Sequence, residues 1–321
     1  MNEAPRAAGT FKRTLLRVLV SAALLALLAW KVPLRDVGGA LARVPPAGLA
    51  LALVVLAIQN LVGAARWWRM LVRTGERPRF AALVGDGLVG AAYNLVLPSA
   101  VGGDVVRAHR AGRRLGAPAH AWSTALFERM VGLPTLAAIA APGIAIVPGG
   151  EALVLPTLVV AFVGVVAIAV IDAPLRWAAR RLLARAPGAA GVADGVARDF
   201  AGPLATAGAR AEALAWSLVY QLLSVSILAA CVLPTGDARL LSAIYAGVPL
   251  VVIGTMAPIT AGGFGLRESL FVVVLGRLGV DRGTALALAL LWLASSVVLA
   301  LVGLVVAWLS PGDERAPPSV T

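Results

Sequence analysis

The chain has 321 residues, 60% of them hydrophobic and only 14% charged, with a mean hydropathy of +0.89. Soluble domains run near 25% charged, so an ordinary soluble domain is excluded, and apolar runs of this length read as crossings of a bilayer core about 30 Å thick. The formal charge of +12 does not imply nucleic acid, because the 26 arginines and 2 lysines lie between apolar runs and form no single basic domain.

Lys12 and Arg13 precede the first expected span, Leu15 to Val32, and no clear small-residue cleavage site follows, so this run reads as a retained signal anchor. A polar link with Arg35, Asp36 and Arg43 leads to Pro45-Pro46, a suitable helix start. The second span, Ala47 to Ala65, ends in RWWR at 66–69, where Trp67 and Trp68 beside arginines read as an interfacial anchor. Residues 66–79 carry five arginines against one glutamate and are expected in the cytoplasm.

Residues 80–97 are apolar but contain Asp86 and Asn94, and they run into NLVLPSAVGGDVVR at 94–107. Pro98 and Gly102-Gly103 break the helix there. Four arginines follow within about a dozen residues, so a full crossing would put them outside, against the positive-inside rule. A re-entrant hairpin dipping in from the cytoplasm satisfies both facts. The third span, Trp122 to Val147, carries Glu128, Arg129, Pro134 and Pro142. Gly149-Gly150 turn outside, and the fourth span is Ala152 to Ile171.

Residues 172–212 hold six arginines and form a cytoplasmic connector. Its opening PLRWAARRLLAR is either an interfacial amphipathic helix or a solvated linker. The fifth span, Leu214 to Leu233, ends before PTGDAR, an external turn. Residues 240–257 enter again, break at PITAGGFGLRE, where Pro258 precedes Gly262-Gly263, and return through a segment too short to span comfortably. That is a second hairpin, this time from outside. The sixth span is Ala285 to Leu309, and the tail 311–321 is expected to be disordered.

The reading is therefore an all-α polytopic membrane protein with six spans, two re-entrant hairpins and both termini in the cytoplasm. Residues 12–148 and 151–310 each hold two spans, a hairpin and one span, which is the logic of an inverted repeat, with the site expected at the paired breaks.

Asp86, Asp104, Arg107, Glu128, Arg129, Arg267 and Glu268 lie in or beside apolar segments. A charge at a helix centre costs about 2.5 to 3.5 kcal/mol, so such residues face a cavity or pair with one another. Glu128-Arg129 and Arg267-Glu268 are sequence neighbours on helices, so their partners are expected from elsewhere in the chain. One reading is an internal ion-pair network that only holds the halves together. The other is an anion pocket, in which helix restarts after Gly102-Gly103 and Gly262-Gly263 offer backbone amides and the arginines offer planar forks to a lipid phosphate. Asn94, Ser99 and Thr260 either add neutral hydrogen bonds to it or cap local backbone.

Three segments, NLVLPSAVGGDVVRA, FERMVGL and APITAGGFGLRESLF, resemble the hallmarks of the flippase-like family, also called the lysylphosphatidylglycerol synthase transmembrane-region family. The resemblance covers roughly residues 12 to 310. That family includes the membrane half of the multiple peptide resistance factor, which moves aminoacylated phosphatidylglycerol between leaflets, and members associated with hopanoid transfer or polyprenyl-linked sugars. The resemblance implies lipid translocation in the bacterial inner membrane and marks Asn94, Pro98, Gly102, Gly103, Asp104, Arg107, Glu128, Arg129, Pro258, Gly262, Gly263, Gly265, Arg267 and Glu268. The expected partner is a membrane phospholipid or a polyprenyl- or hopanoid-type lipid, with a lipid-modifying enzyme as a possible second.

The sequence differs from the resistance factor in ending at Thr321 without an aminoacyltransferase domain. Asp194 and Asp199 lack the spacing of a metal-binding acidic pair, so an embedded transferase is disfavoured and the chain is expected not to be an enzyme. A non-transporting partner of an envelope-synthesis enzyme stays as the alternative. With Cys231 the lone cysteine and His109 and His120 isolated, no metal or other cofactor is expected. No phosphate-cradling nucleotide loop occurs, so an ion gradient, the membrane potential or the lipid gradient is the expected drive.

Overall fold

The computed structural model describes residues 19, 22–28, 30–96, 102–146, 151–170, 190–256, 260 and 264–309. Pro98, Ser99, Pro258, Gly262, Gly263, the opening of the connector and the C-terminal tail lie outside the described residues. Every regular element among the described residues is helical: α1 (Leu34–Ala42), α2 (Pro46–Arg73), α3 (Phe80–Val96), α4 (Gly102–Leu115), α5 (Pro118–Ile146), α6 (Glu151–Val170), α7 (Ala190–Ala201), α8 (Ala207–Val232), α9 (Ala238–Thr255), α10 (Leu266–Arg277) and α11 (Arg282–Leu309). Among them α2, α5, α8, α9 and α11 are long and apolar enough to cross a membrane. The chain is a multi-pass, all-α membrane protein.

Local chemistry sets the helix starts. Pro46 occupies the first position of α2, where its missing N–H costs nothing. Thr206, Asp237 and Asp281 accept the N–H groups of Ala209, Leu240 and Thr284 at 3.1, 2.9 and 2.9 Å, capping α8, α9 and α11. Burial alone would raise the Asp281 carboxyl, but the Thr284 N–H bond and neighbouring amides hold it below the ordinary carboxylate range. Asp281→Ala is expected to cost about 1 kcal/mol in detergent unfolding at neutral pH. Because the folded pKa is the lower one, that difference is present above the ordinary carboxylate pKa and shrinks as pH falls through the depressed value.

Helix pairings fix the arrangement. α2 and α8 run antiparallel, with Gly48 against the Cys231 carbonyl at one end and Gly63 against the Tyr220 ring near the other. α3 and α4 form an antiparallel hairpin in which Gly90 meets Gly103, and Asp86 meets Arg110 and Arg114. α9 and α10 form a second, where Gly247 meets Leu275 and Gly254 meets Leu270.

α3 also lies antiparallel along α11, with Gly85 against Val306 and Gly303 against the Leu88 carbonyl. That register brings residue 96 opposite residue 295, halfway along a helix about 42 Å long. The first hairpin therefore opens at the C-terminal end of α11 and tips near its middle. The second opens at the other end, because only the turn 278–281 separates α10 from the start of α11. The two hairpins enter the bundle from opposite ends. Partners are exchanged as well: α3 packs on α11, α9 packs on α5, and α2 pairs with α8 between them.

Three elements differ from the sequence reading. The supposed polar link before Pro45 contains α1, which buries Val37 and Ala40 and sets Asp36 against Gly283 at the start of α11. Its apolar positions are three apart, too few to stand out in so short a segment. Inside the connector, α7 buries Ala197 and Phe200, and Phe200 joins a cluster with Met70, Phe127 and Val131. α9, expected as a hairpin arm, is long and apolar enough to cross by itself, yet α10 returns the chain to the same end.

Candidate functional site

Five charged side chains join three helices into one chain of ion pairs. Arg66 of α2 donates from Nε to Glu128 Oε1 at 2.8 Å, and Arg107 of α4 donates to the other Glu128 oxygen at 2.9 Å. Arg107 Nε reaches Asp104 Oδ1 at 2.9 Å, and Arg129 Nε reaches Asp104 Oδ2 at 2.6 Å. Arg66 also donates to Ser217 of α8 at 3.3 Å, and Ser217 in turn contacts the Thr135 hydroxyl at 3.2 Å. Among these five described side chains, three guanidiniums face two carboxylates, an excess of one positive charge.

Aromatic rings support the guanidiniums from the side. The Arg66 guanidinium lies 4.4 Å over the Tyr220 ring, and that of Arg107 lies 4.6 Å over the Trp67 ring. Such contacts strengthen when water is excluded. Trp67 is itself fully buried and donates to Thr124 Oγ1 at 3.0 Å. It is not the interfacial anchor the sequence suggested. On α2 it faces α5 rather than lipid, while Trp68 donates to the Pro78 carbonyl at 3.1 Å.

Exposure varies along the chain of pairs. The Glu128 side chain is 1% exposed, whereas those of Asp104 and Arg129 are 25% and 31% exposed. At 1.5 Å per residue, Arg66 lies about 10 Å from the C-terminal end of α2, and Glu128 about 15 Å from the start of α5. The network thus begins deep in the bundle and opens at Asp104 and Arg129, beside the tip of the first hairpin.

The hairpin tip explains two further residues. Asn94 Oδ1 accepts the Gly103 N–H at 2.7 Å, which caps α4 from the helix before it. A Cβ on Gly103 would collide with the Gly90 carbonyl, so glycine is needed there for close helix approach. At the open end of the hairpin, Asp86 accepts two bonds from Arg114, at 3.0 and 2.8 Å, and one from Arg110 at 3.1 Å. This clasp holds α3 to α4.

The second break is built differently. Gly265 adopts φ +80°, a left-handed conformation that suits glycine, and its N–H donates to Glu268 Oε2 at 2.7 Å. Turning back to that amide puts the Glu268 carboxylate beside Arg267, which donates to Oε1 from two nitrogens at 3.1 and 2.7 Å. The neighbours Arg267 and Glu268 therefore pair with each other, against the expectation of distant partners, while Glu128 and Arg129 do take theirs from elsewhere. Thr260 is buried, and its hydroxyl has no partner among the described residues. No ion pair joins Arg267 to the first network among the described residues.

A family model described as the lysylphosphatidylglycerol synthase TM region matches residues 14–303. The chain belongs to that family. No curated protein matches it significantly. As a member of the lysylphosphatidylglycerol synthase TM family, it is a membrane protein related to lipid modification or transport. Within this family member, the first network gathers Asn94, Gly102, Gly103, Asp104, Arg107, Glu128 and Arg129 at one hairpin, with Asp86 at its open end. Arg267 and Glu268 lie apart at the other hairpin.

Arg66, Thr135, Ser217 and Tyr220 are participants that sequence reasoning does not single out. Arg66 reads as one more residue of the arginine-rich end, yet it lies four residues before Met70 and seven after Gln59, both buried on α2. That stripe at helical spacing is the available signal.

Proposed function

We propose that this protein translocates a phosphate-bearing lipid between the leaflets of the bacterial inner membrane, without catalysing a reaction, and that Asp104 marks where the phosphate sits. The single observation that carries this reading is the Asp104 carboxylate held between Arg107 and Arg129, at 2.9 and 2.6 Å, at the exposed end of a positively charged network. A phosphodiester has two unesterified oxygens and can take the same two donors bidentately. Entry of the headgroup then exchanges one anion for another, so the guanidiniums are never left uncompensated at membrane depth. In this reading the two helical hairpins are re-entrant and the two halves are inverted repeats, with the arginine-rich end in the cytoplasm. The excess charge and the opposed hairpins support it.

A second reading, in which the network only braces the helices, draws on the full commitment of Arg107 to Asp104 and Glu128. Two substitutions separate them. Arg107→Ala leaves Glu128 paired with Arg66 and Asp104 with Arg129, so the fold is retained while the phosphate loses one fork. In liposomes with leaflet-selective fluorescent phospholipids, this variant is expected to move lipid about tenfold or more slowly than wild type, the loss of one charged hydrogen bond. Asp104→Ala removes the competing anion and is expected to move lipid at least as fast as wild type. Equal damage by both substitutions would support the brace, and absence of movement by wild type with any lipid would support a non-transporting partner.

A further inference from the structure

A cavity of about 920 Å³ lies at the end of the bundle opposite the network. It is walled by the segment before α2, the 3-10 turn after α8, the start of α9 and the turn into α11. Its volume sits at the upper end of the roughly 300–1,000 Å³ typical of small-molecule sites. Arg43, Arg239, Asp237 and Asp281 are its charged lining residues, two of each sign. Neither Arg43 nor Arg239 makes an ion pair or side-chain hydrogen bond among the described residues. Val44, Leu240, Leu288 and Leu291 give the same cavity an apolar side.

That combination differs from the first network in charge. The network has three cations for two anions and suits a phosphate. The cavity's lining charges sum to zero, and a net anion would meet Asp237 and Asp281 as well as the two arginines. A headgroup carrying both a phosphate and an ammonium satisfies both pairs, and the apolar side accepts the start of its acyl chains. We infer that this cavity binds the headgroup of a zwitterionic phospholipid, its phosphate on Arg43 and Arg239 and its ammonium on Asp237 and Asp281. This rests on the proposal that the chain moves lipid, and it narrows the cargo at the far end to zwitterionic headgroups.

The test is equilibrium binding to the purified full chain in detergent, followed by tryptophan fluorescence and native mass spectrometry. The probes are dihexanoyl phosphatidylethanolamine, dihexanoyl phosphatidylglycerol and free phosphoethanolamine. Wild type is expected to bind the phosphatidylethanolamine probe about tenfold more tightly than the phosphatidylglycerol probe, the effect of one added charged contact. Arg43→Ala with Arg239→Ala is expected to weaken phosphatidylethanolamine by about tenfold or more. Asp237→Asn with Asp281→Asn keeps both helix caps, because asparagine caps as well as aspartate. It is expected to abolish the preference between the two lipids while leaving phosphatidylglycerol binding intact.

Equal wild-type affinity for the two lipids, or no change in either double variant, overturns the site. Equal affinity for free phosphoethanolamine overturns its assignment to lipid. Lipid movement assayed on the same preparations is read separately: binding without movement sinks the transport reading and leaves this site standing.

Discussion

Glu128→Gln is expected to destabilise the protein by about 3–5 kcal/mol, the cost of breaking a buried ion pair by removing one partner. Glu128 is the centre of the network, buried on α5 and accepting from Arg66 on α2 and Arg107 on α4. The substituted amide keeps the shape but not the charge, so the buried Arg66 is left with neutral neighbours only: the amide itself, Ser217 and the Tyr220 ring. Thermal or denaturant unfolding in a mild detergent measures the effect. Arg107→Met is the comparison, since each carboxylate then keeps one guanidinium, and the loss is expected to be clearly smaller. If Glu128→Gln falls within the roughly 0.5 kcal/mol of a surface substitution, the network is not a brace between α2, α4 and α5.

Gly303→Ala is expected to have the second largest effect, a loss of about 1–3 kcal/mol. A Cβ at position 303 would collide with the Leu88 carbonyl on α3, and a backbone carbonyl cannot rotate away as a side chain could. The first hairpin must then move off α11, shifting Asn94, Gly103 and the attached network with it. Gly276→Ala is the control, because a Cβ there meets nothing within 4 Å and the helix gains about 0.5–1 kcal/mol. Unfolding of the two variants side by side, with lipid movement for each, checks the expectation. Equal stability of both would mean that α3 is free to slide on α11.

Much of the fold is written in residue order. Apolar length places most of the helices, and the arginine asymmetry separates segments 66–79 and 109–121 from the far-end turns at 233–239 and 278–281. The inward-facing acids Asp86, Asp104, Glu128 and Glu268 are legible because a charge inside an apolar run needs a partner. The partners are less so. Arg66 is hidden among five arginines of the same stretch, and only the buried stripe through Gln59 and Met70 distinguishes it from its exposed neighbour Arg69. Trp67 carries the signature of an interface residue and is instead a wall for Arg107. α1 and α7 escape sequence reading because each buries only a few apolar residues, against helices far away in sequence.

Gly303 is invisible for a related reason. Nothing in LVGLVV announces that this glycine, and not Gly276, is crossed by another backbone. Close approach is a property of two segments more than 200 residues apart, and the sequence presents them one at a time.

The exchange of partners between hairpins and long helices has a consequence for how the chain is made. α3 and α4 are synthesised early, yet the helix that receives Leu88 and Gly85 is α11, the last of the described helices to leave the ribosome. The Asp86 clasp, the Asn94–Gly103 bond and the Gly90–Gly103 contact close the first hairpin on itself without α11. A chain stalled before α11 would leave it open to other membrane helices. Truncation within α11 removes the backbone that Leu88 and Gly85 pack against, and so takes away a support of the first hairpin.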